Sequence, residues 1–471
     1  MTILPLNPAH NASPEALQAF LEHCRVAAVK DGHPKLVSIS LAVGALDPLA
    51  VLESIFEPGE PHFYAERPNL ETAISGAEVA VRYEARGPDR FASVQRFIDE
   101  TLARTIAVGD VDAPFGGPHF FTAFAFNSEV EPGEAFPSAG VFVPRWQVAR
   151  AGATTTAVAN LLIAADSDLP ALANRVWRAH GKFSQFLYRD AGGTEPMLAP
   201  DFSTHESGDY RGAVTRALRH IEAGEFKKIV LARAIDFSTP RPLHPLRMLN
   251  GLRQRFPECY AFSLANGRGQ SFIGASPERL LRVSKGVLET EALAGSTRRG
   301  AGASEDAALG AALLQSEKDR REHRLVLDTI LGRLAQLDLI GEAADTPGLR
   351  RLANVQHLHT PVRAVMGEQV RLMDVLGLMH PTPAVGGFPA EAAIARIREL
   401  EGFPRGLYAG AIGWVNARGG GEFFVGIRSA LVEGATARVY AGNGIVAGSN
   451  PEKEFAETEW KFKAMLGALC A

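Results

Sequence analysis

The chain has 471 residues, 46% of them hydrophobic and 22% charged, with a net charge of −4 and the two signs interspersed. This is a globular composition, long enough for one large domain or two to three ordinary ones, with no electrostatic footprint for nucleic acid or an anionic membrane. No apolar run reaches the ~18 residues of a membrane span, the opening MTILPLNPAH lacks a signal-peptide layout, and Cys24, Cys259 and Cys470 form no CxxC pair, so a soluble, reduced, cytoplasmic protein is expected.

In chain order, the first predicted element is a helix over 14–30, with Leu17, Phe20 and Leu21 in register. Strand-like runs follow at 35–43, 61–68, 117–126, 139–150 and 154–165. In the third, Phe120, Phe121, Phe124 and Phe126 fall on both sides of the chain, which predicts a strand buried on both faces. A helix-like stretch at 171–187 leads into a polar segment, 188–210, the expected junction between an N-terminal part, 1–200, and a second part, 201–471. The second part opens with helix 211–225, which Gly224 stops, and strand 227–237, KKIVLARAIDF. Helix 244–256, strands near 260–264 and 271–275, and a hairpin over 279–293 come next. One long helix, 304–336, precedes strand 352–365 and helices 371–379 and 390–401. Strands 407–416, 422–432 and 436–441 lead to a final helix, 451–469. Strands joined by both hairpins and helices predict a mixed α/β fold of the α+β type, not a βαβ repeat.

Two of these helices carry the same acidic pattern. On 451–469, Glu454, Glu457 and Lys461 share one face beside the apolar stripe of Phe455, Phe462, Met465 and Leu466. Glu452 and Glu459 point elsewhere, toward solvent. On the long helix, Asp319 and Glu322 are spaced i, i+3, and Val326 and Ile330 continue that side into the core. A carboxylate at the edge of a buried face needs a partner. Each pair alone reads more readily as a solvated face or as pairing to Lys and Arg. Together, with no histidine or cysteine among them, the two pairs suit a hard cation such as Mg²⁺.

Nine further stretches are in order: KKIVLAR (227–233), GASPERLLR (274–282), TEALAGSTRRG (290–300), KDRREH (318–323), VQHL (355–358), HPTPAVGGFP (380–389), LYAGAIGW (407–414), GIRSA (426–430) and AGNGIVAGSNPEKEF (441–455). Together they resemble the chorismate-utilising enzymes, with the isochorismate synthase branch the best match. The resemblance covers about residues 205–466, and residues 1–200 share only aromatic strands such as HFYAERP and HFFTAFAF. It implies one α/β body of two large antiparallel sheets packed together, helices outside, a cleft between them, and N-terminal strands contributing to the same unit.

The reaction it implies adds water at C2 of chorismate while the C4 hydroxyl leaves, which requires a base, an acid and a fixed ring. The resemblance assigns the base to Lys228, a lysine on an apolar strand face where a lowered pKa would suit it. Without the resemblance Lys228 reads as an edge-strand or snorkelling lysine. It assigns the acid to Glu278, which could instead pair with Arg279 or Arg282. Glu322 and Glu457 match the Mg²⁺ ligands, and Asp319 and Glu454 match positions that hold metal-bound water. Asp319 stands where glutamate is common. Arg428, Tyr408 and Lys461 match groups that hold the substrate's carboxylates. Gly442 and Gly444 would let backbone N–H groups approach the enolpyruvyl carboxylate, although GxG alone usually marks a tight turn. Gly295 and Ser296 match a substrate-contacting AGT, and His357 matches a cleft histidine, though a lone histidine also suits a core.

Within the family, Ala294 stands where a covalent aminodeoxychorismate synthase carries the lysine of PIKGT, and no LLES-type amino-acid site occurs. Lys228 argues against anthranilate synthase. Ala384 replaces a threonine usual in salicylate synthases, which favours stopping at isochorismate and leaves salicylate synthase as the alternative. Chorismate is then the substrate and Mg²⁺ the cofactor; a monomer without a glutaminase subunit is expected. An idle binding scaffold would not need the Lys228, Glu278, Glu322 and Glu457 set, and a phosphotransferase lacks its GxxxxGK[ST] loop. Menaquinone, catecholate siderophore and salicylate pathways all remain open from the sequence.

Overall fold

The structure is a computed structural model, and it describes residues 1–4, 13–55, 57, 59–184, 202–353 and 355–469. Most of the predicted junction, 188–210, and Cys470 lie outside the described residues.

The strands of the N-terminal part are β1 (Thr2–Leu4), β2 (Lys35–Val43), β3 (Pro61–Arg67), β4 (Thr72–Ala85), β5 (Thr105–Gly109), β6 (His119–Phe124), β7 (Ala139–Ala151) and β8 (Thr154–Ile163). The helices there are α1 (Pro14–Asp31), α2 (Pro48–Ser54), α3 (Arg90–Ala103) and α4 (Leu169–Ser184). Then follow β9 (Ser203–Ser207), α5 (Tyr210–Glu222), β10 (Lys228–Ser238), α6 (Pro245–Arg255), β11 (Tyr260–Asn266), β12 (Gln270–Ser276), β13 (Arg279–Ser284) and β14 (Val287–Arg298). Helices α7 (Ala303–Gln315) and α8 (Glu317–Ala335) precede β15 (Glu342–Ala343), β16 (Gly348–Arg351) and β17 (Val355–Val365). The chain ends with α9 (Leu372–Met379), β18 (Gly387–Phe388), α10 (Ala390–Glu401), β19 (Ala411–Asn416), β20 (Gly421–Val425), β21 (Ser429–Glu433), β22 (Thr436–Val446) and α11 (Pro451–Leu469).

The expected antiparallel sheets are present as two limbs of one hydrogen-bonded network, 22 strands among the described residues. One limb runs β4–β3–β11–β12–β21–β22–β10. The other runs β6–β19–β20–β13–β14–β17. Strand β7 pairs with both β4 and β6 and joins them. Aromatic side chains fill the space between the limbs: Phe63 of β3 stacks on Phe121 of β6 at 4.4 Å, and Tyr260 of β11 on Phe424 of β20 at 4.9 Å. Strand β6 is buried along its whole length, as its aromatics predict.

Several sequence readings are corrected. The long helix 304–336 is two helices, because Ser316 leaves the helical conformation and caps α8, its Oγ accepting from the Asp319 N–H at 3.3 Å. The run 422–432 is two strands, broken where Arg428 adopts a left-handed φ of 49°. The predicted strand 352–365 is β17, starting at Val355, and a short strand that was not anticipated, β16, precedes it. Strands β4 and β5 and helices α2 and α3 were not anticipated. Strand β4, TAISGAEVAVRYEA, is rich in Ala and Glu, which have weak strand preference. It is held by its register with β3 and β7.

Candidate active site

Strand β10 lies inside its limb. Lys228 pairs with Val446 on one side and Phe388 on the other, and the residue is 1% exposed. The edge-strand and snorkelling readings are therefore wrong. Its Nζ donates to Glu322 Oε1 at 2.6 Å. Gly444 on the neighbouring strand makes this contact possible: a Cβ there would sit 2.9 Å from both Glu322 Oε1 and Lys228 Cε. At Gly442 it would sit 2.7 Å from the Tyr408 hydroxyl. Both glycines belong to β22, so the tight-turn reading fails, and the space they leave is filled by site side chains. Between β18 and β9, the free edge of β10 is completed by a buried ion pair that the sequence reading missed. Arg405 donates to the Val230 carbonyl and to Glu401, and Glu401 accepts from the Ala232 N–H.

One cleft gathers nearly all the predicted residues: Glu278, Gly295, Ser296, Asp319, Glu322 and His357 from one side, and Ala384, Tyr408, Arg428, Gly442, Gly444, Glu454, Glu457 and Lys461 from the other. Lys228 is the exception, lying behind Glu322 instead of on the cleft surface. The acidic end is built by two helix starts. Ser316 caps α8, and Asn450 Oδ1 caps α11, accepting from the Glu452 and Lys453 N–H groups, with Pro451 at the first helical position. These caps fix the registers that bring Asp319 and Glu322 opposite Glu454 and Glu457. Glu452 and Glu459 are not simply solvated: Glu452 pairs with Arg211 at 2.8 Å and Glu459 with Arg233 at 2.7 Å.

Among the described residues, no three acidic, histidine or cysteine side chains converge into a ready-made metal cage. The four carboxylates nevertheless suit a cation that keeps several waters and takes one or two protein carboxylates. Burial raises the Asp319 carboxyl above its usual range, and the charges of Glu322 and Glu457 add to this against a lowering hydrogen bond from Ser316. Burial and the Glu457 charge likewise raise Glu454. A cation relieves that repulsion. Burial also opposes the charge on Glu322, but the Lys228 ammonium overcomes it and holds the carboxyl below its usual range.

Glu278 follows Pro277 and sits at the mouth of β13, 6% exposed. The arginines expected as alternative partners are engaged elsewhere, Arg279 with Glu289 and Glu422 and Arg282 with Glu289. Burial, reinforced by the charge of Glu291, pushes the Glu278 carboxyl up to about 8. It is thus a protonated acid at neutral pH, facing the cleft. Glu291 was missed in the sequence; its signal was an acid in an otherwise apolar strand, TEALAG.

The opposite end is cationic. Arg428 lines the cleft half-buried, its guanidinium facing the Cys259 sulfur behind it, and its buried Nη1 has no oxygen partner among the described residues. Its Nη2 lies 3.2 Å from His357 Nε2, and His357 Nδ1 lies 2.8 Å from Ser296 Oγ. With the arginine donating to Nε2, the proton rests on Nδ1. Burial and the nearby charges of Arg428, Lys461 and Arg350 keep this imidazole neutral. Lys461 Nζ donates to the Gly442 carbonyl, Asn443 Oδ1 and Glu457, so all three of its protons are in use. Tyr408 stacks on Tyr440 at 4.9 Å and walls the cleft beside Ala384. Both Arg428 and Ala409 adopt left-handed φ values, 49° and 59°, so backbone strain is concentrated at this wall.

Comparison with known proteins supplies the context for this geometry. The family model described as chorismate binding enzyme matches residues 19–470, so the likeness extends through the N-terminal part as well as the second. The chain is 36% identical to the salicylate biosynthesis isochorismate synthase of Pseudomonas aeruginosa over 93% of this chain and 91% of that one. It is 31% identical to isochorismate synthase MenF of Bacillus subtilis, covering 93% and 94%. The solved structure of MenF, the menaquinone-specific isochorismate synthase of Escherichia coli, superposes with a TM-score of 0.78 at 26% identity, over 95% of this chain and 99% of that chain. A cleft with an acidic end, a cationic end and a protonated carboxyl between them therefore lies in a chain that belongs to the chorismate-binding enzyme family.

Proposed function

We propose that the protein is an isochorismate synthase, an isomerase that converts chorismate to isochorismate by adding water at C2 and releasing the C4 hydroxyl. One observation carries the reading: the buried Glu278, whose carboxyl burial pushes up to about 8, shares its cleft with the Arg428 guanidinium and with the carboxylates of two helices.

Arg428 takes a substrate carboxylate with its guanidinium, and His357, neutral and held by Ser296, keeps that group aimed. Tyr408 and Ala384 bound the ring on one side, and Lys461 anchors Glu457 while adding positive charge to the floor. Glu322 and Glu457 would hold Mg²⁺, and Asp319 and Glu454 would hold its waters. When bound, the cation neutralises the ring carboxylate and screens it from this acidic end. Glu322 holds the Lys228 ammonium in the resting cleft; turning its carboxylate aside and releasing one ammonium proton to solvent leaves a neutral amine facing water. Lys228 then takes the proton from the water whose oxygen bonds to C2. Across the ring, Glu278 gives its proton to the C4 oxygen, the C–O bond breaks with its electron pair, and a water molecule departs. The proton gained by Lys228 and the proton lost by Glu278 balance, so the net reaction is an isomerisation. Among the described residues no helix is long and apolar enough to cross a membrane, and we take the enzyme to work in the cytoplasm on a small-molecule substrate, as a monomer without a glutaminase subunit.

The test is to incubate purified protein with chorismate and Mg²⁺, without ammonia, and to resolve the products by chromatography. A Mg²⁺-dependent mixture of chorismate and isochorismate is expected. Lys228→Ala and Glu278→Gln should each lower turnover by about 10²–10⁴-fold while retaining chorismate binding. Salicylate with pyruvate would place the enzyme in the lyase branch. Turnover only with ammonia would make it an aminating enzyme and remove the role given to Lys228.

A further inference from the structure

Glu291 lies behind the acid, on β14, with its side chain 8% exposed. Its carboxylate accepts three donors from three places. Oε1 takes the backbone N–H of Arg279 at 3.0 Å and Arg350 Nη1 of β16 at 2.6 Å, and Oε2 faces His359 Nε2 of β17 at 3.0 Å. The Arg279 N–H belongs to the peptide bond that follows Glu278, so this carboxylate grips the backbone on which the acid is mounted. No hydrogen bond or ion pair reaches the Glu278 carboxyl itself among the described residues, which leaves its orientation to its backbone and its proton to the surrounding charges.

We propose that Glu291 is a positioning residue for the acid: with Arg350 and His359 it fixes the Glu278–Arg279 peptide and supplies the negative charge against which Glu278 keeps its proton. The inference rests on the assignment of Glu278 as the acid. Four charged groups face Glu278: Glu291 from β14, Lys228 from β10, Arg350 from β16 and Arg428 from the turn before β21. The phenol of Tyr408 also faces it. Glu291 favours the protonated form and the three cations oppose it. Glu291 can play this part because it stays ionised: burial opposes its charge, but the hydrogen bond from His359 and the Arg350 guanidinium outweigh that and hold it at about 2. A second carboxylate that is itself locked in the charged form is an electrostatic lever on the first.

The sign of the charge gives the test. In the pH profile of kcat, the native enzyme loses activity at alkaline pH as Glu278 ionises. Glu291→Gln should move that limb to lower pH by about one unit, and Arg350→Gln, which removes an opposing cation, should move it to higher pH. Opposite shifts support the proposal, because a packing defect does not change sign with the charge removed. It is overturned if both variants shift the limb the same way, or if both lower kcat evenly at every pH with the limb unmoved. Native turnover in Glu278→Gln would instead overturn the acid assignment on which it rests, a separate outcome read from a separate protein.

Discussion

At the scale of single residues, the buried acid sets function against stability. Glu278 holds its proton to about pH 8 in the folded protein, whereas an unfolded glutamate ionises near its ordinary value of 4.5. Between these values the native state binds the extra proton. The associated stability is fully present below the unfolded value and is lost as pH rises through about 8. Glu278→Gln keeps the shape and removes the titration. It should therefore lose turnover yet melt higher than the native protein at alkaline pH, by on the order of 2 kcal/mol. The gap should shrink toward pH 5, read by scanning calorimetry at several pH values; a variant that melts lower at every pH contradicts this. The acids of the cleft were legible in the sequence because i, i+3 spacing is a property of one helix. The protonation of Glu278 was not, because it depends on burial and on Glu291 in a different strand. The same holds for Lys228, whose buried pairing with Glu322 is created by a long-range contact and by Gly444.

At the scale of elements, two arginines hold α11, and the buried one is Arg233. Arg233 of β10 is 2% exposed and lies 3.8 Å from the centre of the Phe455 ring, with Arg211 over the same ring. It donates to Glu206 of β9 and to Thr458 and Glu459 of α11. A planar fork suits this three-way attachment. Arg233→Met should cost about 2–3 kcal/mol in urea unfolding, less than a fully buried pair because both glutamates are partly exposed. Since Glu454, Glu457 and Lys461 ride on the same helix, the variant should also bind Mg²⁺ more weakly in calorimetric titration, and unchanged cation binding would show that the helix needs no such anchor. Helix α11 was legible from its apolar stripe and the acids beside it. The division of 304–336 was misread because both segments have helical periodicity, and a serine inside such a run signals a cap only once the chain is seen to turn there.

At the scale of the whole molecule, we propose that residues 1–200 and 201–471 fold as one body. The pairings β3–β11 and β6–β19 cross from one part to the other, and Phe63, Phe121 and Trp414 meet between the limbs. A fragment of residues 201–471 keeps every named site residue but exposes the edges of β11 and β19. It should be insoluble or lack a cooperative melt, and a soluble, active fragment would refute the single body. The two packed sheets were legible through resemblance, and the ladder that joins them was not, since register across such distances leaves no local mark. That ladder also has a consequence in time. Strand β6 leaves the ribosome with Phe120, Phe121 and Phe124, and its partner β19 follows about 290 residues later, on the order of half a minute at 5–20 residues per second. Through that interval a largely apolar, aromatic-rich strand waits without this neighbour, so the newborn chain, more than the finished enzyme, is what a chaperone must protect.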